Sequence, residues 1–233
     1  MPRDEAHHFQ GNQLLAELST TAIRNLAPHL YPVLFHLGDV LFELGSENDA
    51  VYFPKSGMLS MILSSRVGID VEVGAAGFEG MVGLSDALSC CNNSTRALTQ
   101  IAGNGWRLSS AVLRDEFSHN SELRQVLLRY QRSVSILACQ NILCNRLHSI
   151  EQRFAKWLLL TRDRVHGEDL NITHEFLAVM LGARRAPVTL AAQALRQKGL
   201  IDYTRGSMTI INRAGLEEVA CECYELSKVR TER

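Results

Sequence analysis

The sequence predicts an α+β chain: a jelly-roll/cupin-like β-barrel, a long dimerisation helix and a C-terminal winged helix-turn-helix. Three observations predict it. Seven short β-rich runs are separated by turn formers, a stretch free of Gly and Pro carries heptad spacing, and a helix, Gly turn, helix pattern precedes two further β-rich runs. The expected domains are residues 1–120, 121–148 and 149–233.

Residues 12–30 place Leu14, Leu15, Leu18, Ile23 and Leu26 at mixed three- and four-residue spacing, with Ser19 set to cap a second short helix. From Pro32 to about Phe117 the runs VLFHL, VLFEL, AVYFP, MLSMIL, IDVEV, ALTQIA and WRLS read as strands. So many short strands indicate a sandwich or barrel, here a jelly roll.

Residues 121–148 read as one helix. Leu123, Leu127, Tyr130, Val134, Leu137, Asn141 and Cys144 alternate four- and three-residue steps, the spacing of a coiled-coil seam, with Asn141 at an a-type position that fixes register in a two-stranded assembly. A helix laid on its own domain would show the same spacing. Arg124, Arg129 and Arg132 solvate the other faces, which favours the dimer seam.

Ser149 and Gln152 form a capping-box pattern before Phe154, Trp157, Leu158 and Thr161. HGEDLN reads as a loop, Thr173 as the cap of a short helix closed by Gly182, and residues 185–198 as a second helix closed by Gly199. LIDYT, RGS and MTIIN make two strands around a turn, a wing, and residues 216–228 return to helix.

The bulk numbers narrow the chemistry. The 233 residues carry a net charge of −1, which alone argues against a nucleic-acid partner, yet residues 149–215 hold ten Lys and Arg against six Asp and Glu. A basic module follows an acidic one. No stretch reaches the roughly 20 apolar residues of a membrane span, and no export signal is seen, so a cytoplasmic chain without membrane partners is expected. The cysteines, Cys90, Cys91, Cys139, Cys144, Cys221 and Cys223, therefore read as reduced thiols. Cys221 and Cys223 could chelate only if other ligands converged, and no metal site is assigned.

The residues resemble the bacterial Crp/Fnr family of transcription regulators over nearly the whole chain. The resemblance is carried by GDVLFELG and YFPKSG, by GFEGMVGL at the phosphate-cassette position, and by LNITHEFLAVMLGARRAPVTLAAQALRQKGLI. SIEQRFAKWLL and INRAGLEEVACECY fit the flanking helices. It implies a cyclic-nucleotide-binding-like sensor domain, and a homodimer that binds an inverted repeat in double-stranded DNA and, if it activates, contacts RNA polymerase.

A recognition helix places its first turns in the major groove, so Arg184, Arg185, Thr189 and Gln193 are the expected readers, with Arg185 suited to guanine O6 and N7. Thr173 and His174 match positions that hold phosphate in the family, and Arg205 at the wing tip is a further phosphate contact. Ala186 and Leu190 stand where catabolite activators carry a Glu and a second Arg, so their operator is not transferred.

In the sensor, Gly80, Met81, Gly83, Arg96 and Ala97 fall on the effector-pocket positions. Met81 replaces a ribose-binding Glu, and a thioether is a poor partner for a hydroxyl, which argues against cyclic AMP. The N-terminal cysteine cluster of the iron-sulfur branch is absent, and the spacing of His36, His119 and His148 gives no support for haem. The cofactor is therefore left unknown. An enzyme is not expected: no HxH or HxxxE pattern marks the β-region, and there is no P-loop or G-x-S-x-G. The competing reading is a protein-interaction signalling module with a winged helix that does not bind DNA.

Overall fold

The structure is a computed structural model that describes Phe9 and residues 11–165, 169–172, 174–204 and 207–231. Two compact units divide it: one comprises residues up to Ile62 with Gly74–Ser135, the other Leu63–Val73 with the residues from Ile136 on.

The first unit opens with α1 (Gln13–Ala16) and α2 (Thr20–Leu26), the latter capped by the Ser19 hydroxyl, which accepts from the Ala22 N–H. All seven β-rich runs are strands: β1 (Tyr31–Phe35), β2 (Val40–Phe42), β3 (Ala50–Pro54), β4 (Met58–Ser64), β5 (Asp70–Ala76), β6 (Arg96–Ile101) and β7 (Gly103–Ser109). They form two antiparallel sheets of order β1-β7-β3 and β2-β6-β4-β5. Among the described residues these sheets do not close into one hydrogen-bonded ring, so the barrel expected from the sequence is a pair of separate sheets. Two short helices also interrupt the β-region: α3 (Leu84–Ser89) and α4 (Ser110–His119). The β-rich stretch thus ends at Ser109 rather than near Phe117, because Leu113 sits one helical turn beyond Ser110 and is fully buried.

The pleat of β3 explains how one strand serves two cores. Val51 and Phe53 point to a cluster built with Leu14, Leu15, Leu26, Trp106 and Leu108, whereas Ala50 and Tyr52 join Phe35, Phe42, Leu59 and Ala97 on the other face. Burying side chains of this size contributes roughly 1.5–3 kcal/mol each. Asn12 ties the entry to the core, its amide donating to Pro54 O and Gly80 O at 2.8 Å.

The long helix, α5, runs Ser121–Leu147. Leu123, Val126 and Leu127 are buried in the first unit's own helical cluster, with Tyr130 packed against it. This corrects the expected seam. Leu123, Leu127 and Tyr130 are covered by their own chain, and Cys144 is buried with other thiols. Heptad spacing records which residues share a face, not which neighbour covers it. Val134, Leu137 and Asn141 stay partly accessible, beside the exposed Leu128, Ile142, Leu143 and Leu147.

In the second unit, α6 (Ile150–Arg164) starts with a complete Ser149–Gln152 capping box and buries Phe154, Trp157 and Leu158. α7 (His174–Met180) and α8 (Arg185–Gln197) follow, then β9 (Ile201–Thr204) and β10 (Ser207–Ile210). Of the expected HGEDLN loop, residues 166–168 lie outside the described residues and the rest is a strand. Asp169–Asn171 form β8, which pairs with β10 through Met208↔Leu170, so the wing sheet has three strands in the order β8-β10-β9. A three-residue strand with one apolar side chain leaves no periodicity to read. The terminal helix is two pieces, α9 (Arg213–Val219) and α10 (Cys223–Thr231), parted where Ala220 takes an extended conformation.

Candidate nucleic-acid interface and sensor positions

The turn between α7 and α8 is set by backbone chemistry. Gly182 adopts φ +55°, its N–H donates to Val179 O, and the Ala183 N–H reaches back to Ala178 O at 2.9 Å. These two bonds close a Schellman motif and satisfy carbonyls at the end of α7. The same pair recurs after α8, where Gly199 donates to Arg196 O and Leu200 to Leu195 O. Pro187 sits in the first turn of α8, where no N–H is needed.

Helical periodicity then sorts the side chains of α8. Val188, Ala191, Ala192 and Leu195 are buried, which fixes the opposite face outward. Arg185, Thr189 and Gln193 follow each other at four-residue steps on that outer face. Arg184 and Arg185 are both exposed, and among the described residues neither is held in an ion pair. The two other cations of the segment are engaged: Arg196 with Asp202 at 2.8 Å and Lys198 with Glu151. No carboxylate occurs between Gly182 and Ile201, so the exposed face of α8 is positively charged at its N-terminal end. Thr189 returns its hydroxyl to Arg185 O at 3.1 Å. The exposed Leu190, at 66% accessibility, presents an apolar side chain on the same surface. His174 opens α7; Thr173 and Arg205 lie outside the described residues.

The sensor positions are less uniform. Met81 is fully buried in the helical cluster and Ala97 in the inter-sheet cluster, so neither side chain is open to a polar ligand. At Gly80 a Cβ would come within 2.6 Å of the Tyr130 hydroxyl oxygen, so the close approach there is made by a side chain of the chain itself. Gly83 takes φ +90° at the N-terminus of α3. Arg96 approaches Glu43 at 3.4 Å, yet its buried Nε makes no hydrogen bond.

A group that spacing did not reveal lies at the other end of α5. Cys144, His148, Cys221 and Cys223 converge, with one donor atom from each all within 4.8 Å of one another. Cys144 in the last turn of α5 and His148, the residue after that helix, are four positions apart, while Cys221 lies in the link between α9 and α10 and Cys223 opens α10, about 75 residues away in sequence. The link is anchored by Tyr224, whose hydroxyl accepts from Arg213 at 2.7 Å and donates to Asp163 at 2.9 Å. Its buried ring raises the phenol pKa, with Asp163 adding to the shift. Cys221 and Cys223 stand out in the sequence as a pair that could chelate if other ligands converged; their convergence with Cys144 and His148 needed the fold.

Residues 152–219 match the Crp-like helix-turn-helix domain. No curated protein matches the chain by sequence. Among solved structures it is similar to a transcriptional regulator from Eubacterium rectale placed in the Crp/Fnr family, with a TM-score of 0.72 and 18% identity over 90% of this chain and 98% of that one. FixK2 from Bradyrhizobium japonicum gives 0.71 and 14%, covering 82% and 98%. A Crp/Fnr-family regulator from Thermus thermophilus gives 0.67 and 21%, also covering 82% and 98%.

Proposed function

We propose that this chain, which carries a Crp-like helix-turn-helix domain over residues 152–219 within the fold of Crp/Fnr regulators, is a sequence-specific DNA-binding transcription regulator. It binds an inverted repeat as a homodimer, in the cytoplasm, and contacts RNA polymerase where it activates.

The observation that carries this reading is the outward-facing ridge of Arg185, Thr189 and Gln193 on α8, set behind the Gly182 turn and flanked by Arg184. Arg185 reads guanine through two hydrogen bonds, and Thr189 and Leu190 offer methyl groups to thymine. Thr173, His174 and Arg205 grip phosphate. Val134, Leu137 and Asn141 supply the accessible part of the dimer seam, extended by Ile142 and Leu147.

The domain limits 1–120, 121–148 and 149–233 assign sensing, dimerisation and DNA binding in turn. The sensor reading is supported by Arg96, a half-buried cation whose Nε faces Glu43 at 3.4 Å without a formed hydrogen bond. It takes an anionic effector other than cyclic AMP, because a buried Met81 provides no acceptor for a ribose hydroxyl.

Titration of labelled duplexes tests the function. A tight complex with one inverted repeat, over scrambled duplex of equal length and salt, is expected. Equal affinity for both duplexes at all salt concentrations would refute specific reading.

A further inference from the structure

We propose that Cys144, His148, Cys221 and Cys223 form a Cys3His site for one zinc ion. The inference holds whatever the chain's DNA-binding role proves to be. A tetrahedral ion with Zn–S near 2.3 Å and Zn–N near 2.0–2.1 Å sets its ligand atoms roughly 3.5–3.8 Å apart. The Sγ atoms of Cys144 and Cys221 are 3.6 Å apart, and Cys223 Sγ lies 3.6 Å from His148 Nδ1. All four donor atoms lie within 4.8 Å of one another, so a modest contraction around the ion completes a closed tetrahedral site.

The surroundings are those of a ligand set. His148 Nε2 lies 3.1 Å from Glu222 Oε2, so the carboxylate takes the Nε2–H and leaves the Nδ1 lone pair directed at the thiols. The Gln140 amide donates to Cys223 Sγ at 3.1 Å, a bond that suits a thiolate. Lys156 is 7% exposed, and among the described residues its ammonium has a hydrogen bond to Asn141 Oδ1 and no carboxylate. A buried cation needs a counter-charge. Three thiolates around a divalent ion carry one net negative charge, which Lys156 and the half-buried Arg153 face.

Zinc is the occupant that this chemistry selects: thiolates with one imidazole, closed and largely buried, leave no open position for catalysis and disfavour hard cations such as magnesium or calcium. Bound there, it cross-links the C-terminal end of α5 and His148 to the α9–α10 link and the start of α10.

The test uses the full chain, purified under reducing conditions, stripped with a chelator and titrated with zinc and with cobalt. One equivalent per chain is expected. The cobalt form should show the strong visible d–d bands and near-ultraviolet sulfur-to-metal charge transfer of a tetrahedral thiolate site. Glu222→Gln should weaken binding about 10–100-fold while leaving the ligands in place. Cys223→Ser should abolish the stoichiometric site, its fold checked by circular dichroism; Cys139→Ser, at an exposed thiol of the same helix, should bind as the parent does. Metal content well below one equivalent in the parent would overturn the proposal. So would a cobalt spectrum undiminished by Cys223→Ser, or air oxidation of Cys144 and Cys221 to a disulfide in a chain that retains no zinc.

Discussion

Tyr130 and Met81 exchange two hydrogen bonds: the hydroxyl accepts from the Met81 N–H at 3.0 Å and donates to the Met81 carbonyl at 2.7 Å. A side chain of α5 thereby closes the backbone of the GFEGMVGL segment, and Gly80 provides the room. Tyr130→Phe leaves a part-buried N–H and C=O without this partner and should cost about 1–3 kcal/mol. Gly80→Ala forces the ring away and should cost at least as much. Urea unfolding of the two variants checks both; unchanged midpoints would show that the pair carries no stability.

Burial along α5 separates two kinds of apolar substitution. Leu127→Glu places a charge in a core position that is 1% exposed, so the protein should fail to fold. Val134→Glu with Leu137→Glu lies where the chain leaves the helix partly open, and should give a folded monomer with lost operator binding. Sedimentation and circular dichroism distinguish the outcomes. A dimer that survives the double substitution would place the interface elsewhere.

Glu122 accepts from the Ser19 hydroxyl at 2.7 Å and from the Ser19 N–H at 2.6 Å. Those bonds, the side-chain one first, hold its carboxyl below the usual glutamate range. A depressed folded pKa means the stabilisation is complete above the unfolded pKa and is lost as pH falls through the folded one. Thermal midpoints of the parent should therefore fall on acidification below the ordinary carboxylate range, and Glu122→Gln should flatten that part of the profile. Parallel profiles would remove Glu122 from the acid response.

The Gly182 turn is a backbone requirement that can be tested without touching a DNA-reading side chain. Gly182→Ala must hold an L-residue at φ +55°, at a cost of roughly 1–2 kcal/mol. A lower unfolding midpoint with weaker operator binding is expected. Gly199→Ala should cost a similar amount, since Gly199 closes the same motif at φ +70°.

Where the sequence carries periodicity, the fold can be read from it. The β-rich runs, the capping box at Ser149 and the spacing from Val188 to Leu195 all survive in the structure because each is local. Asp169–Asn171 escapes such a reading because its pairing partner, β10, is far along the chain and only three residues mark the strand. Leu123 and Leu127 show the complementary failure: their spacing is correct for a seam, but they are buried in the cluster that their own unit builds. The proposed readers Arg185, Thr189 and Gln193 are legible because α8 orients them, with Arg184 at its N-cap. The convergence of Cys221 and Cys223 on α5 is not, since only the packing of α6, α9 and α10 brings the two segments together.

The most direct measurement is selection of bound duplexes from a randomised pool by the parent chain and by Arg185→Ala, at matched salt, followed by sequencing. The expected result is an inverted repeat enriched by the parent, with a guanine in each half-site whose preference is lost in the variant, a change worth about 1–3 kcal/mol of discrimination. A pool that stays random with the parent, or the same guanine enriched equally by both proteins, would contradict reading by α8.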